Sequence, residues 1–417
     1  MSSTAVARPQ QNPDLGAWII VGFCFLALAV SFSARSSLSL IMEPMEKEMG
    51  WSRTTTSAAA SLAQIFMAVA APVVGNLVDR FGARFLLSSG LAAVGGGVVL
   101  AAGAHTPWQF YAAYSIVAGI GFGTAATHVV STIVSLNFTA RRGLAVGIAT
   151  AGATGGQLVV IPILARVLDH TDWRTSYIAI GVCALALAPV VLLLIRPRAA
   201  DTAARRELRV DAEPIAERLW FLMRSPTFHL LFWSYFICGI TTSGVIEAHL
   251  IPYSVFCGFP VATSSDAFGL LMAFNLGGMV LAGWLSDRMN RPLLLGAIYI
   301  LRGFSFILLM FIAGDYPLLI LFAAMFGVFD YSTVPVTASL AASHLGLRIL
   351  GLTMGMLTAG HALGAALGAQ MGGVLFDLLA TYYWTWLVAL ITALLAGVMC
   401  FVIRENRDRG GLVPVPA

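Results

Sequence analysis

The 417-residue sequence predicts an all-α integral membrane protein of twelve transmembrane helices in two pseudo-symmetric six-helix bundles. Three observations lead there. The composition is 59% hydrophobic and 11% charged, against about 45–50% apolar and 25% charged for a soluble domain. Apolar runs of at least ~20 residues, the length that crosses a bilayer as a helix, recur along almost the whole chain. One long polar connector and one repeated motif divide those runs into six and six. Only helices and closed barrels satisfy their backbone in lipid, and runs this long without ten-residue alternation are helices.

The runs lie near 17–41, 54–78, 84–104, 107–135, 142–168, 173–195, 227–251, 265–286, 292–313, 317–343, 349–377 and 382–403. An N-terminal tail (1–16) precedes a first bundle (17–196), and a charged connector (197–226) leads to a second bundle (227–404) and a C-terminal tail (405–417). The first run is too long, and its flank too poor in charge, for a cleaved signal peptide. Of the 24 Lys and Arg, four (Lys47, Arg53, Arg166, Arg174) fall in loops away from the termini and two (Arg35, Arg302) fall inside spans. The other 18 lie on the side of the termini, which the positive-inside rule makes cytoplasmic. The expected location is the cell membrane, the inner membrane in a bacterium.

The net charge of +4 reflects that sidedness and does not point to nucleic acid. Cys24, Cys183, Cys238 and Cys400 lie in spans and Cys257 near the outer end of the seventh, so neither a disulfide framework nor a CxxC metal site is indicated. There is no HExxH, GxSxG or phosphate-binding glycine loop, which argues against an enzyme, and no cofactor is implied.

GNLVDRFGAR begins at Gly75, between the second and third runs, and GWLSDRMNR begins at Gly283, between the eighth and ninth, 208 positions later. The GxLxDRxG pattern resembles the signature of the major facilitator superfamily, with a degenerate second copy. NFTARRGLAVGIATAGATGG from Asn137 to Gly156, followed by WRTSYIAIG from Trp173, is similar to the fifth-span signature of the monocarboxylate transporter family. Relatives of the oxalate/formate antiporter kind fit the same frame. The resemblance implies alternating access between two bundles. It implies a conformational latch from Gly75, Asp79, Arg80, Gly82 and Arg84, with Asp287 and Arg288 as its weaker counterpart. Glycines crowd spans four, five and eleven, where small residues let helix backbones approach closely in lipid.

An arginine at mid-span costs about 2.5–3.5 kcal/mol on insertion scales, so ionisable residues there face a partner or a wet cavity. Ser31, Arg35 and Ser39 share one face of the first span, at i, i+4, i+8. Three readings stand for Arg35: snorkelling to the outer surface, a pair with Glu247 on the seventh span, or an anchor for an anion that competes with Glu247. Arg302 and Asp330, on consecutive antiparallel spans, form either a static pair or a protonation switch. Burial favours the neutral acid and a nearby guanidinium the carboxylate. Thr124, His128 and Thr132 form a stripe on the fourth span; Tyr235, Thr242 and His249 form a heptad-spaced row on the seventh; and His361 sits with Thr358 and Met354 on the eleventh. Each histidine is a hydrogen-bond donor, a titrating group or a packed polar contact.

The sequence departs from the monocarboxylate family where that family carries an aspartate and, four residues on, an arginine in the eighth span. Asn275 and Met279 stand there, and Leu38 stands where the family has a first-span lysine. Either Arg35 has become the anion anchor, its planar fork suiting a carboxylate, or the cargo differs from a simple monocarboxylate. The resulting expectation is a secondary active transporter of a small organic anion, proton-coupled. Arg35, His128, His249, Asn275 and Tyr331 contact the substrate in this reading, and Asp330, Arg302, Glu247 and His249 serve coupling or ion pairing. Export of a larger amphipathic compound is the alternative, and a non-transporting sensor a more remote one.

Overall fold

The computed structural model describes residues 15–81, 83–127, 129–130, 133–134, 142–194, 215–286, 288–346 and 349–405. The described segments are helical rods joined by short turns. The first half holds α1 (Leu15–Met49), α2 (Arg53–Phe81), α3 (Ala83–Ala102), α4 (Pro107–Phe110, Tyr111–Ala118 and Gly119–Thr124), α5 (Arg142–Leu168) and α6 (Trp173–Leu194). The second half holds α7 (Pro226–Gly239, Ile240–Gly244 and Ile246–Phe256), α8 (Val261–Ser286), α9 (Arg291–Met310), α10 (Tyr316–Phe329 and Thr333–Leu345), α11 (Leu350–Leu379) and α12 (Tyr383–Phe401). Among the described residues, 11 of these rods are long and apolar enough to cross a membrane. The remaining one, α4, packs between α2 and α3 as a twelfth. An amphipathic helix, Ile215–Arg224, precedes α7.

Local chemistry sets several starts. Ser225 accepts from the Phe228 amide ahead of α7, Asn290 from Leu293 ahead of α9, and Asp315 from Leu318 ahead of α10, each followed by a proline in the first turn. A proline there gives up an amide that would have had no helical partner, and its fixed φ suits the first turn.

The two halves repeat one packing scheme. In the first, α1 packs on α5 and α6, α3 on α6, and α4 on α2 and α3; in the second, α7 packs on α11 and α12, α9 on α12, and α10 on α8 and α9. The halves meet through α2 on α11, α5 on α8, and α1 on α7. Exchanging the halves turns the first two of these seams into each other, as a two-fold relation of parallel repeats requires.

The repeat extends to single residues. Gly152 and Gly156 of α5 lie against the backbone of Phe25 and Ala29 in α1; Gly360 and Gly364 of α11, each 208 positions on, lie against the Phe232 ring and the Phe236 backbone of α7. A methyl group on Gly364 would collide with the Phe236 carbonyl oxygen, whereas one on Gly355 would meet nothing within 4 Å.

Overpacking of this kind costs about 1–3 kcal/mol. Gly364→Val is therefore expected to lower the unfolding temperature of the detergent-purified protein, while Gly355→Ala leaves it at or above the parent value. Melting of Gly364→Val together with the parent would show that the α7–α11 seam does not require the glycine.

Candidate functional site

Two helices that correspond between the halves break at the same depth. α4 loses its helical geometry at Ala125, where φ is −90° and ψ is 56°, and α10 breaks across Asp330–Ser332 before resuming at Thr333. Pro335 explains the second break, because it has no amide for the Tyr331 carbonyl and its ring crowds that carbonyl. Interrupted helices at corresponding positions of two repeats mark a central site in membrane carriers.

A cavity of about 430 Å³ lies between the halves at these breaks. Its wall includes Arg35 of α1, Thr127 just after the α4 break, Thr154 of α5, Tyr235 and Thr242 of α7, Met279 of α8, Asp330 and Tyr331 of α10, and His361 of α11. Chain direction places it between Arg35 and the end of the bundle that carries both termini.

Arg35 sits at the inner wall of this cavity. Its Nη2 lies 2.7 Å from Glu247 Oε2, and the side chains are only 13% and 6% exposed. The Tyr331 hydroxyl donates to Glu247 Oε1 at 2.8 Å, and Ser243 Oγ donates to the same oxygen at 3.0 Å. The Tyr114 hydroxyl donates to the Arg35 carbonyl at 2.8 Å, and the guanidinium lies 4.7 Å from the Phe32 ring centre. The ion pair therefore links the halves within α1 and α7 and holds Tyr331, so the surface-snorkelling reading of Arg35 is set aside.

Arg302 and Asp330 meet differently from the expected pair. Arg302 Nη2 donates to the carbonyl oxygens of Phe329 at 2.9 Å and Asp330 at 2.7 Å, and Nη1 donates to Cys238 Sγ at 3.1 Å. The broken turn of α10 leaves those carbonyls without helical amides, and the guanidinium serves them instead of the carboxylate. Asn275 Nδ2 donates to Asp330 Oδ2 at 2.9 Å, and Asn275 Oδ1 accepts from the Tyr331 amide at 3.2 Å. Asn275 thus stands behind the cavity and supports the break. Asp330 Oδ1 is buried and has no hydrogen-bond partner.

The heptad row on α7 does not stay on one face. Tyr235 and Thr242 line the cavity, with His361 Nε2 3.3 Å from Thr242 Oγ1, but His249 is buried away from it. The π-helical stretch Ile240–Gly244 intervenes, and its wider turn rotates everything that follows. His249 Nε2 lies 2.8 Å from the Ala369 carbonyl oxygen, which fixes it as the protonated nitrogen, and Nδ1 faces the Tyr382 hydroxyl at 3.3 Å.

That histidine belongs to the closed end of the molecule. Arg53 opens α2 and takes Glu46 through Nε and Nη2 at 2.8 Å each, while Nη1 donates to the Tyr382 hydroxyl of the other half at 2.7 Å. The Thr54 amide donates to Asp377 Oδ2 at 2.7 Å, and Arg166 pairs with Asp266 at 3.0 Å. All three contacts join the halves on the side opposite the termini.

Among the remaining expected residues, His128, Gly82 and Asp287 lie outside the described residues, as do the side chains of Asp79 and Arg80 and the surroundings of Gly75. Arg84 is half-buried, and Arg288, in the turn after α8, stacks 4.0 Å from the ring centre of Trp284. Sequence reasoning missed Tyr114, Ser243, Cys238 and the Arg53–Tyr382 contact. Pro335 inside the tenth apolar run was the available signal for the break.

The family model of the Major Facilitator Superfamily matches residues 24–301 and 258–417, and the chain belongs to that family. It is 26% identical over 360 residues to the uncharacterized MFS-type transporter YcxA of Bacillus subtilis (strain 168), covering 81% of this chain and 83% of that one. It is 23% identical to monocarboxylate transporter 12-B of Danio rerio, covering 97% and 92%, and 25% identical to the fujikurins efflux protein of Gibberella fujikuroi, covering 85% and 76%. The solved inward open structure of the xylose transporter XylE from E. coli superposes with a TM-score of 0.71 at 16% identity, covering 94% of this chain and 98% of that one, a likeness of fold alone. The chain is a multi-pass membrane transporter with an alternating-access fold, and not an enzyme.

If the Arg53 cluster holds the far end shut, its loss frees that end. Hydrogen bonds to charged groups contribute about 1.5–3 kcal/mol, so Arg53→Ala is expected to shift the conformational equilibrium toward the opposite-open state by roughly tenfold or more. Spin labels at positions 52 and 381 should then report a larger long-distance population. An unchanged distance distribution would remove the cluster from the gate.

Proposed function

We propose that the protein carries a small organic anion, a monocarboxylate, across the cell membrane by alternating access, together with a proton. The observation that supports this most directly is the Arg35–Glu247 pair at the wall of the central cavity. A guanidinium offers a planar fork to a carboxylate, and an incoming anion competes with Glu247 for it. Arg35, Glu247 and the substrate together then carry one net negative charge, which a proton on Glu247 cancels. Tyr331 and Ser243 already hold Glu247 Oε1, so the displaced side chain keeps hydrogen bonds when Arg35 turns to the substrate. Asp330, with one free oxygen on the same cavity, is the second acid available for coupling.

In this reading the tails (1–16, 405–417) and connector (197–226) are cytoplasmic, the bundles span 17–196 and 227–404, and the cavity faces the cytoplasm. The similarity to monocarboxylate transporter 12-B is in keeping with the substrate class. A second reading, export of a larger amphipathic compound, draws on the similarity to the fujikurins efflux protein. It also draws on Phe32, Met67, Phe122, Met279 and Met354 in the cavity wall.

Uptake of labelled lactate, pyruvate, oxalate and benzoate into proteoliposomes, with and without an inward proton gradient, tests the first reading. Arg35→Ala is expected to abolish uptake and, by leaving Glu247 unpaired, to lower the unfolding temperature, whereas Arg35→Lys keeps the pair and part of the uptake. Glu247→Gln should retain anion exchange while losing acceleration by the gradient. Normal uptake by both Arg35 variants would assign the arginine to a gate. Failure of the parent protein to accumulate any of the four anions would favour the export reading.

A further inference from the structure

Beyond Arg35, on the side away from the large cavity, lies a second and smaller space of about 30 Å³. The two share Arg35, Phe122 and Ser243 in their walls, so the Arg35 side chain stands between them. A space of this size exceeds the ~10–15 Å³ that one water-sized group requires, and falls far short of a second substrate.

Its wall contains an unusual set of polar atoms. Arg35 Nε, Ser39 Oγ and Gln64 Oε1 are all buried and without a hydrogen-bond partner. The other polar groups nearby are committed: the Tyr114 hydroxyl to the Arg35 carbonyl, and Ser243 and Tyr331 to Glu247. Buried polar atoms are nearly always paired, and three orphans around one small space describe the complement of something. Arg35 Nε–H can only donate, Gln64 Oε1 can only accept, and Ser39 can do either. A group that satisfies all three must both accept and donate. A hydroxyl does so; a carbonyl oxygen accepts only, and a methyl does neither.

We propose that Gln64 and Ser39, with the Nε edge of Arg35, form a subsite for a hydroxyl substituent on the carried anion, and so select small 2-hydroxy acids over their 2-oxo and unsubstituted analogues. The inference rests on the reading of Arg35 as the anion anchor. If one carboxylate oxygen takes the place of Glu247 at Nη2, the hydroxyl on the neighbouring carbon lies beside that oxygen and opposite Nε–H on the same edge of the guanidinium, which puts it at the small space. A site built to hydrogen-bond a hydroxyl rejects the analogue that lacks it, because its own buried groups are then left unpaired.

The test is competition against labelled lactate uptake in proteoliposomes by unlabelled lactate, pyruvate and propionate. In the parent protein lactate is expected to compete roughly tenfold better than either analogue, from the loss of one buried hydrogen bond. Gln64→Met and Ser39→Ala are each expected to bring that ratio toward one. The two variants serve as checks on each other, and unfolding temperatures separate a lost preference from a lost fold. Equal competition by all three acids in the parent, or an undiminished ratio in both variants, would overturn the subsite and leave the space to a bound water. Should Arg35→Ala carry lactate normally, the anchor reading itself fails; abolished uptake in Arg35→Ala with an undiminished ratio in both subsite variants removes only the subsite.

Discussion

A charge inside lipid must be answered locally, and the pair of Arg35 with Glu247 is how this chain answers it at the seam between its halves. Neither group tolerates isolation. Breaking a buried pair by removing one partner leaves an uncompensated charge and costs about 3–5 kcal/mol. The same penalty acts during the transport cycle, because any motion that separates α1 from α7 must supply a replacement partner for each. In the proposed cycle an anion replaces Glu247 at Arg35, and a proton replaces Arg35 at Glu247. On that proposal, movement of the halves is tied to the arrival of cargo by the cost of an unpaired buried charge.

The second pair of mid-span charges solves a different problem. A broken helix in lipid exposes carbonyl groups, and irregular backbone survives there only where protein or a wet cavity satisfies it. Arg302 gives its donors to the carbonyls of Phe329 and Asp330 and to Cys238, and is wholly buried in doing so. The break in turn frees Asp330 and Tyr331 to face the cavity, and Asn275 holds both from behind. Arg302 is thus a backbone partner that makes the site possible, and Arg35 is the charge the site presents. Two arginines that look alike in composition meet different partners, a broken backbone and an acid.

How far this was legible in the sequence follows from the range of each interaction. The twelve spans, their six-and-six division and the 208-residue offset are local patterns repeated along the chain, and the glycine seams carry that offset into tertiary contacts. The Arg35–Glu247 contact was open to inference because pseudo-symmetry set both at one depth. The orientation of His249 was not. A heptad row implies one face only on an uninterrupted α-helix, and the π-helical turn at Ile240–Gly244 rotates His249 to the closed end. The Arg302–Asp330 expectation found the right neighbours and the wrong atoms, since adjacency of spans does not say whether a side chain or a broken backbone offers the acceptor. Arg53 read as one of a few loop charges, because its partner Tyr382 lies 329 positions away.

The closed end differs in kind from the cavity, and the difference bears on how the cycle runs. At the closed end the hydrogen bonds form a directed chain. Arg53 donates to the Tyr382 hydroxyl, that hydroxyl to His249 Nδ1, and His249 Nε2–H to the Ala369 carbonyl, so every donor in the chain has a taker. Around the cavity and the small space beyond Arg35, Asp330 Oδ1, Arg35 Nε, Gln64 Oε1 and Ser39 Oγ have none. That chain of paired donors joins the halves at one end, while the unpaired atoms at the centre favour whatever can complete them. A ligand shifts a two-state equilibrium only by its differential affinity for the two states. On the proposed reading, the unmet atoms around Arg35 are where that difference arises, and the closed-end chain is the contact set against which it acts.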